Sequence, residues 1–132
     1  MDNTDMTSVQ LVTPRRSRFL SFEETLSTRR RCKISWAETG LEALEATSQK
    51  PSGWVVVDES LPDMSGLEFV RRLMGVNAWI QTAVVSRLSD GDFHEASEGL
   101  GVALRLSAPP GQKDAEKLLD LMESTPLDFG AP

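Results

Sequence analysis

The sequence predicts an α/β fold, a doubly wound, five-stranded parallel sheet that forms a single domain. Short apolar runs alternate with segments of helical periodicity, and the connections between them are short. Such β–α repeats imply parallel strands with helices on both faces of the sheet. The run Trp54–Val57 has no polar alternation, which is typical of a central strand buried on both faces. A chain of 132 residues is long enough to bury a full core in one domain.

The first β–α unit begins with Val9–Val12, a short apolar strand candidate. Thr13 as N-cap and Pro14 at the first helical position predict a helix that starts there and runs to about Ser27. The buried face of this helix is expected to carry apolar residues at helical spacing, namely Phe19, Phe22 and Leu26.

The second unit pairs a strand at Cys32–Trp36 with a helix that stops before Pro51. Thr39 and Glu42 have the spacing of a capping box and mark the start of that helix. Cys32 is the only cysteine, which excludes an intrachain disulfide or a thiol pair for metal or redox chemistry. We expect it to be a buried, small apolar residue.

The third unit contains the first candidate functional residue. Its strand, Trp54–Asp58, ends on an acid, and Ser65 with Glu68 forms a second capping box for a helix that reaches Met74. Open α/β sheets place their chemistry at the carboxyl ends of their strands, which makes Asp58 the leading candidate. The alternative is that Asp58 only ends the strand or caps a turn.

The last two units complete the sheet. Ile80–Ser86 and Val102–Leu106 are the fourth and fifth strands, and Asp90–Glu98 is a helix with few large apolar groups. The final helix, Lys113–Glu123, should be buried through Leu118, Leu119 and Met122. The domain is therefore predicted over residues 8–124, with flexible tails at residues 1–7 and 125–132.

Composition and charge exclude several classes of function. The net charge of −6 argues against nonspecific nucleic-acid binding as the main activity. Residues 1–36 hold seven Lys/Arg against four Asp/Glu, a net charge of +3, which leaves −9 for the rest of the chain. No signal-peptide pattern or membrane-spanning apolar window is present, so we expect a cytoplasmic protein without membrane contact.

The segment 58–66, DESLPDMSG, resembles the most specific signature of the receiver domain of two-component response regulators. In that family an acid ends strand three and L-P-x-M-x-G follows. The resemblance extends over roughly residues 8–124 through ETGLEAL at 38–44, Gly101-Val102-Ala103 and Pro109. It implies the flavodoxin-like receiver fold and a signalling function without an enzymatic activity of its own. It also implies that Asp58 is the phosphoacceptor and that Ser86 supplies the strand-four hydroxyl that contacts the phosphoryl group.

Several positions of the resembled mechanism are replaced. The two adjacent acids that help to hold Mg²⁺ in the family are matched by Thr13 and Pro14, and the strand-five Lys by Ala108. The aromatic switch position is matched by Arg105. Because Mg²⁺ usually takes one or two carboxylates, Asp58 alone should bind it weakly at best, and we expect no dedicated metal site or cofactor. Phosphorylation should be very slow.

An arginine could compensate for the missing metal and Lys. Arg15 and Arg16 follow the lost acids, and Arg87 follows Ser86. An acid at a mostly apolar strand end is costly unless it is paired, so we hypothesise that one of these guanidinium groups pairs with Asp58. The alternative is that these arginines only face solvent.

Other residues carry weaker signals. His94 is the only histidine and lies on a helix predicted to be exposed, so no histidine-based triad or multi-histidine metal site can form. No phosphate-binding glycine loop is present. The three tryptophans are interpreted as core or edge packing rather than as a base-stacking platform; they are Trp36, Trp54 and Trp79.

Three functional interpretations follow. The first is a stand-alone, degenerate receiver-like domain in two-component or phosphorelay signalling, which contacts a histidine kinase or another signalling protein and takes no small-molecule substrate. The expected contact surface, by the resemblance, is the face of the fourth helix, fifth strand and fifth helix, on which Arg105 would lie. The second is a working Asp58 phosphoacceptor shuttle with little or no Mg²⁺ dependence. The third is a small nucleic-acid-binding adaptor that uses the arginine clusters, and the acidic total disfavours it.

Overall fold

The computed structural model describes residues 7–29 and 32–124, which form a five-stranded parallel sheet with the strand order β2-β1-β3-β4-β5. The strands are β1 (Thr7–Val12), β2 (Cys32–Ala37), β3 (Trp54–Val57), β4 (Gln81–Val85) and β5 (Leu104–Leu106). The α-helices are α1 (Leu20–Arg29), α2 (Gly40–Gln49), α3 (Gly66–Val76), α4 (Asp90–Ala96) and α5 (Gln112–Ser124). The predicted fold class is confirmed.

Two apolar clusters, one on each face, hold the helices against the sheet. Helices α1 and α5 cover one face, with Phe22 and Leu118 fully buried against β1 and β3. Helices α2, α3 and α4 cover the other, where Phe69 and Phe93 are buried. This two-sided cover explains why β3 is apolar at every position: its residues alternate between the two clusters.

The start of the first helix differs from the prediction. Thr13 is not an N-cap, and a short 3-10 helix, Arg16–Phe19, precedes α1, which begins at Leu20. The Thr13 hydroxyl accepts a hydrogen bond from the Arg15 backbone N–H but donates its own proton to Asp58. Thr13, which the local sequence predicts as a helix cap, therefore bonds a residue at the end of a neighbouring strand instead.

Both predicted capping boxes are half formed. Thr39 accepts from the Glu42 N–H and Ser65 from the Glu68 N–H, so α2 and α3 begin where predicted. The returning half is missing at Ser65, because the Glu68 carboxylate instead binds two arginines one turn further on, Arg71 and Arg72.

The last strand is shorter than predicted, since β5 begins at Leu104 and not at Val102. Gly99 and Gly101 have φ of 84° and 67°, a left-handed backbone that interrupts regular structure before the strand. Helix α4 also ends earlier than predicted, at Ala96, with Ser97 as its C-cap residue. At the other end of the chain, β1 includes Thr7, which the sequence predicts to lie in the N-terminal tail. Residues 1–6 and 125–132 lie outside the described residues.

Two burial predictions are wrong. Cys32 is half-buried at the border of the α1–α5 cluster rather than fully buried, because β2 is an edge strand. Trp79 is 79% exposed in the loop between α3 and β4, whereas Trp54 is buried in the core as expected. His94 is exposed, as predicted. Within residues 7–29 and 32–124, no helix has the length and apolar character needed to cross a membrane.

Candidate functional site

The carboxyl ends of the central strands bring Thr13, Asp58 and Ser86 to one edge of the sheet, which we call the carboxyl edge. Thr13 follows β1, Asp58 follows β3 and Ser86 follows β4, and these strands are neighbours. The Asp58 N–H donates to the Val12 carbonyl at 2.9 Å, so the parallel ladder continues as far as the acid. The strand ends therefore fix Asp58 in position.

Both oxygens of the Asp58 carboxylate are engaged by neutral donors. The Thr13 hydroxyl donates to Oδ2 at 2.7 Å, and the Glu59 backbone N–H donates to Oδ1 at 2.8 Å. The side chain is only partly buried, so one side of the carboxylate still meets solvent. Sequence reasoning treated Thr13 as a lost ligand and missed its role as the hydroxyl partner of Asp58.

A glycine shapes the backbone next to Asp58. The Gly66 N–H donates to the Glu59 carbonyl at 2.9 Å, which folds the β3–α3 loop back on itself. A Cβ at Gly66 would lie 2.4 Å from the Asp58 carbonyl oxygen, well inside van der Waals contact. The last residue of DESLPDMSG must therefore be glycine, because the backbone at Asp58 approaches it too closely for a side chain.

The same loop reaches across to helix α2. The Asp63 carboxylate accepts from the backbone N–H groups of Gly40 and Leu41, both at 2.9 Å, and so satisfies two of the free donors at that helix N-terminus. These two backbone hydrogen bonds lower the pKa of Asp63 from its ordinary value of 3.8. No sequence signal identified Asp63, because its partners are more than 20 residues away.

Ser86 is 4% exposed and lies at the carboxyl edge, as the resemblance implied. Its hydroxyl oxygen accepts from the Leu88 N–H at 3.1 Å, which leaves its own proton free to donate. A cavity of about 200 Å³ opens beside it, with Glu59 and Ser65 at its rim and Leu67 and Phe93 among its apolar walls.

The arginines proposed to compensate have other partners. Arg87 forms an ion pair with Glu59 at 3.0 Å and also donates its backbone N–H to that carboxylate. Arg16 places its guanidinium carbon 4.3 Å from the centre of the Trp36 ring, and the Arg15 side chain is exposed. In the chain segments that the structure describes, no ion pair to Asp58 is formed, and the hypothesis of an Asp58–arginine pair is corrected to a Thr13–Asp58 hydrogen bond.

Arg105, which the resemblance matches to the aromatic switch position, acts as a clamp between three elements. Its guanidinium binds Asp90, the first residue of α4, with nitrogen–oxygen distances of 2.9 and 2.8 Å. It also donates to the backbone carbonyl of Ser86 at 3.1 Å. One side chain on β5 therefore ties the end of β4 to the start of α4.

The residues around Asp58 do not fit a receiver-type magnesium site. Thr13 and Pro14 contribute no carboxylate, and the Glu59 carboxylate is turned to Arg87. No group of three or more His, Cys, Asp or Glu side chains that could hold a metal ion occurs among the described residues. Mg²⁺ needs near-octahedral oxygen ligands, and here a single carboxylate, already hydrogen-bonded twice, would have to anchor it.

Comparisons with known proteins identify the family and the fold. The family model for the response regulator receiver domain matches residues 17–119. A CheY-like receiver domain from Methylobacillus flagellatus has 23% identity and a TM-score of 0.75, over 88% of this chain and 98% of that one. Chemotaxis response regulator CheY4 of Vibrio cholerae has 20% identity and a TM-score of 0.76, over the same shares. A comparison with curated proteins gave no significant match.

Proposed function

Because this chain belongs to the response regulator receiver family, we propose that it is a degenerate receiver domain that signals through protein contacts, with phosphorylation of Asp58 weak or absent. Its partner is a histidine kinase or another protein of a two-component pathway. The contact face is formed by α4, β5 and α5.

The observation that carries this proposal is the hydrogen bond from Thr13 to Asp58. At a position where the family has an acid that helps to hold Mg²⁺, this chain supplies a hydroxyl that donates directly to Oδ2 at 2.7 Å. With the Glu59 N–H bonded to Oδ1, this bond leaves neither oxygen of the Asp58 carboxylate without a hydrogen-bond donor, so an attack on phosphorus would have to break one of the two bonds. It therefore lowers the reactivity of Asp58 where a metal would raise it.

The charge that develops on a transferred phosphoryl group also lacks its usual stabilisation. Ala108 stands at the position of the family's Lys and packs against the apolar cluster under α1 and α5. Loss of one preorganised donor of this kind costs about 2–4 kcal/mol of transition-state stabilisation. Loss of the metal acts on the same charge, so the two effects are not simply additive.

The clamp made by Arg105 supports a contact surface without a phosphorylation-driven ring switch. In the resembled mechanism an aromatic ring moves inward after the strand-four hydroxyl. Here Arg105 is held by Asp90 and by the Ser86 carbonyl, so a charged side chain fills the position. The start of α4 is thereby fixed to β4 in the unmodified protein.

The alternative of a working phosphoacceptor draws on two observations. Asp58 is only partly buried, and the Ser86 hydroxyl proton is free to bond a phosphoryl oxygen. In that reaction one carboxylate oxygen of Asp58 would give up its hydrogen bond and form a bond to phosphorus as acetate leaves from acetyl phosphate.

The test is intact mass after incubation with acetyl phosphate, with and without Mg²⁺. We expect no adduct on the wild-type protein beyond the level of an Asp58→Ala control. The double variant Thr13→Asp/Ala108→Lys restores an acid and the Lys, and should gain an adduct that requires Mg²⁺. A control with the same change in charge, Ser17→Asp/Ala78→Lys at exposed positions, should gain none.

A phosphoryl adduct on the wild-type protein that disappears in Asp58→Ala would reject the degenerate interpretation and favour the shuttle. If that adduct also formed equally well without Mg²⁺, the reaction would not depend on the metal that the family uses.

A further inference from the structure

A second pocket lies at the opposite edge of the sheet, where the strands begin, and we call it the amino-edge pocket. It has a volume of about 210 Å³ and lies between the first halves of β1 and β2 and the segment that follows α2. Asp58, Thr13 and Ser86 are at the other ends of these strands or of their neighbours. The pocket is therefore separate from the site described above.

The polar groups that line this pocket are cations and hydroxyls. Lys33 from β2 and Lys50 from the end of α2 supply two positive charges, and three serines surround them. These serines come from three different segments, and they are Ser8, Ser35 and Ser52. Within residues 7–29 and 32–124, neither lysine forms an ion pair with an acid. In a chain of net charge −6, two unpaired cations that face one cavity create a local positive potential.

The sheet under α2 is polar on the inner side of the pocket. Gln10 is 4% exposed, lies on the same face of β1 as Ser8 and is paired in register with Ser35. Its side-chain oxygen has no hydrogen-bond partner, and neither has the hydroxyl of Thr47, which is 2% exposed on α2. A buried polar atom without a partner is costly, and such groups are rare in folded proteins. Gln10, in register with Ser35 of the pocket lining, therefore provides unused hydrogen-bonding capacity on the strand next to β2.

We propose that the amino-edge pocket binds a phosphomonoester. The phosphoryl group would lie between Lys33 and Lys50, where ammonium groups and serine hydroxyls can donate charge-assisted hydrogen bonds to its oxygens. Pro51 provides an apolar surface against which a short carbon chain can pack, whereas the Ile34 side chain packs on the other face of the sheet, against the α1–α5 cluster. A volume below the usual range for drug-sized ligands limits the organic part to a few atoms.

The two lysines should contribute unequally. Lys50 is the C-cap residue of α2, and the negative end of the helix dipole offsets part of its charge. Lys33 is on an edge strand, which has no comparable dipole. Lys33 therefore supplies the larger share of the attraction to the anion.

The experiment is an NMR titration of the full chain that follows the backbone amides of Ser8, Ser35 and Ser52. The probes are inorganic phosphate and glycerol 3-phosphate, with sodium chloride at matched ionic strength as the blank. We expect saturable shifts at these amides, with tighter binding of glycerol 3-phosphate than of inorganic phosphate. The Kd should rise at least about tenfold in Lys33→Met/Lys50→Met, and Lys33→Met alone should account for most of the rise.

The matched control is Lys113→Met/Lys117→Met, which removes the same charge from exposed positions on α5. It should leave the Kd unchanged. If phosphate binding weakened equally in both double variants, the lysines would only attract anions in general, and the proposal would be overturned. Amide shifts that do not saturate and that occur near all lysines of the chain would overturn it too. Absence of shifts at the three serine amides would overturn it as well.

Vesicles that contain phosphatidic acid distinguish a lipid headgroup from a soluble ligand. Co-sedimentation that depends on Lys33 and Lys50 would assign the site to the headgroup. Binding of glycerol 3-phosphate without co-sedimentation would assign it to a small soluble phosphomonoester. Neither result depends on Asp58, so failure here leaves the proposed signalling function intact.

Discussion

The two edges of the sheet treat their charged groups in opposite ways. At the carboxyl edge every charged side chain discussed above, except the exposed Arg15, has a partner: Asp58 has Thr13, Glu59 has Arg87, and Arg105 has Asp90. At the amino edge Lys33 and Lys50 line a cavity, and neither forms an ion pair with an acid in residues 7–29 and 32–124. The charged groups at the carboxyl edge are thus satisfied within the chain, whereas the two lysines at the amino edge are the groups on which the proposed phosphomonoester site depends.

The difference depends on two residues at the carboxyl edge, Thr13 and Arg105, which the resemblance matches to an acid and to an aromatic ring and which make internal contacts here. Thr13 bonds Asp58 and Arg105 fastens α4, so both substitutions stabilise one arrangement of the edge. A fixed edge suits a contact surface better than a switch, which needs two arrangements of similar free energy.

The largest effect should come from Gly66→Ala, which tests how tightly the carboxyl edge is packed. Because the new Cβ would meet the Asp58 carbonyl oxygen at 2.4 Å, the loop must shift, and we expect a loss of about 3 kcal/mol in the free energy of unfolding. Gly75→Ala on the same helix meets nothing within 4 Å and should stabilise by about 0.5 kcal/mol. Urea denaturation measures both, and a loss of similar size in the two variants would show that the packing at Gly66 is not special.

Arg105→Met comes next, because it removes the clamp between β5, β4 and α4. The variant leaves the Ser86 carbonyl and Asp90 without this donor. Because Arg105 is partly buried, we expect the free energy of unfolding to fall by about 1–2 kcal/mol. Arg72→Met removes an exposed ion pair with Glu68 and should cost much less stability, because solvent screens exposed ion pairs. If the two variants lost equal stability, Arg105 would be an ordinary surface residue. Faster amide exchange at the start of α4 in Arg105→Met alone would locate its effect.

The sequence predicted the scaffold and the position of Asp58 because both depend on local patterns. Unbroken apolar runs identify buried strands, and Thr39 and Ser65 have a spacing that specifies helix starts. The same local rules failed at Thr13, where Thr-Pro also has the form of a helix start. The deciding hydrogen bond joins residues 45 positions apart, and no local rule can anticipate it.

The remaining parts of the site were missed for the same reason. Glu59 and Arg87 are 28 positions apart, and Asp63 reaches back 23 positions to Gly40. An arginine beside a lost metal site suggested a pair with Asp58, yet Glu59 is also an acid at the same edge and captured Arg87. Which of two neighbouring carboxylates a guanidinium binds is decided by strand geometry rather than by sequence distance.

Asp63→Asn tests the cap on α2. We expect a loss of about 1 kcal/mol in the free energy of unfolding near neutral pH, and no more than that because solvent screens the exposed carboxylate. The folded-state pKa of Asp63 lies below its ordinary value of 3.8, so its stabilisation is fully present above that value. It disappears as the pH falls through the folded pKa. The gap between wild type and variant should therefore be constant at neutral pH and close in acid.

Urea denaturation at several pH values measures that gap. Asp120→Asn removes the same charge from an exposed position on α5 and should show no comparable pH-dependent gap. A gap that stayed constant down to pH values well below 3.8 would mean that ionised Asp63 does not cap α2.

The smallest effect should be that of Lys33→Met/Lys50→Met on stability without any phosphate present. If these lysines stabilise nothing in the fold, the free energy of unfolding should change by less than about 0.5 kcal/mol in either direction, as for other surface positions. This measurement distinguishes lysines that have a structural partner from lysines that are available to a ligand. A loss above about 1 kcal/mol would mean that the lysines have a structural partner and that the amino edge is satisfied like the carboxyl edge. An unchanged stability, together with weakened phosphate binding in the same variant, would mean that these charges are available to a ligand.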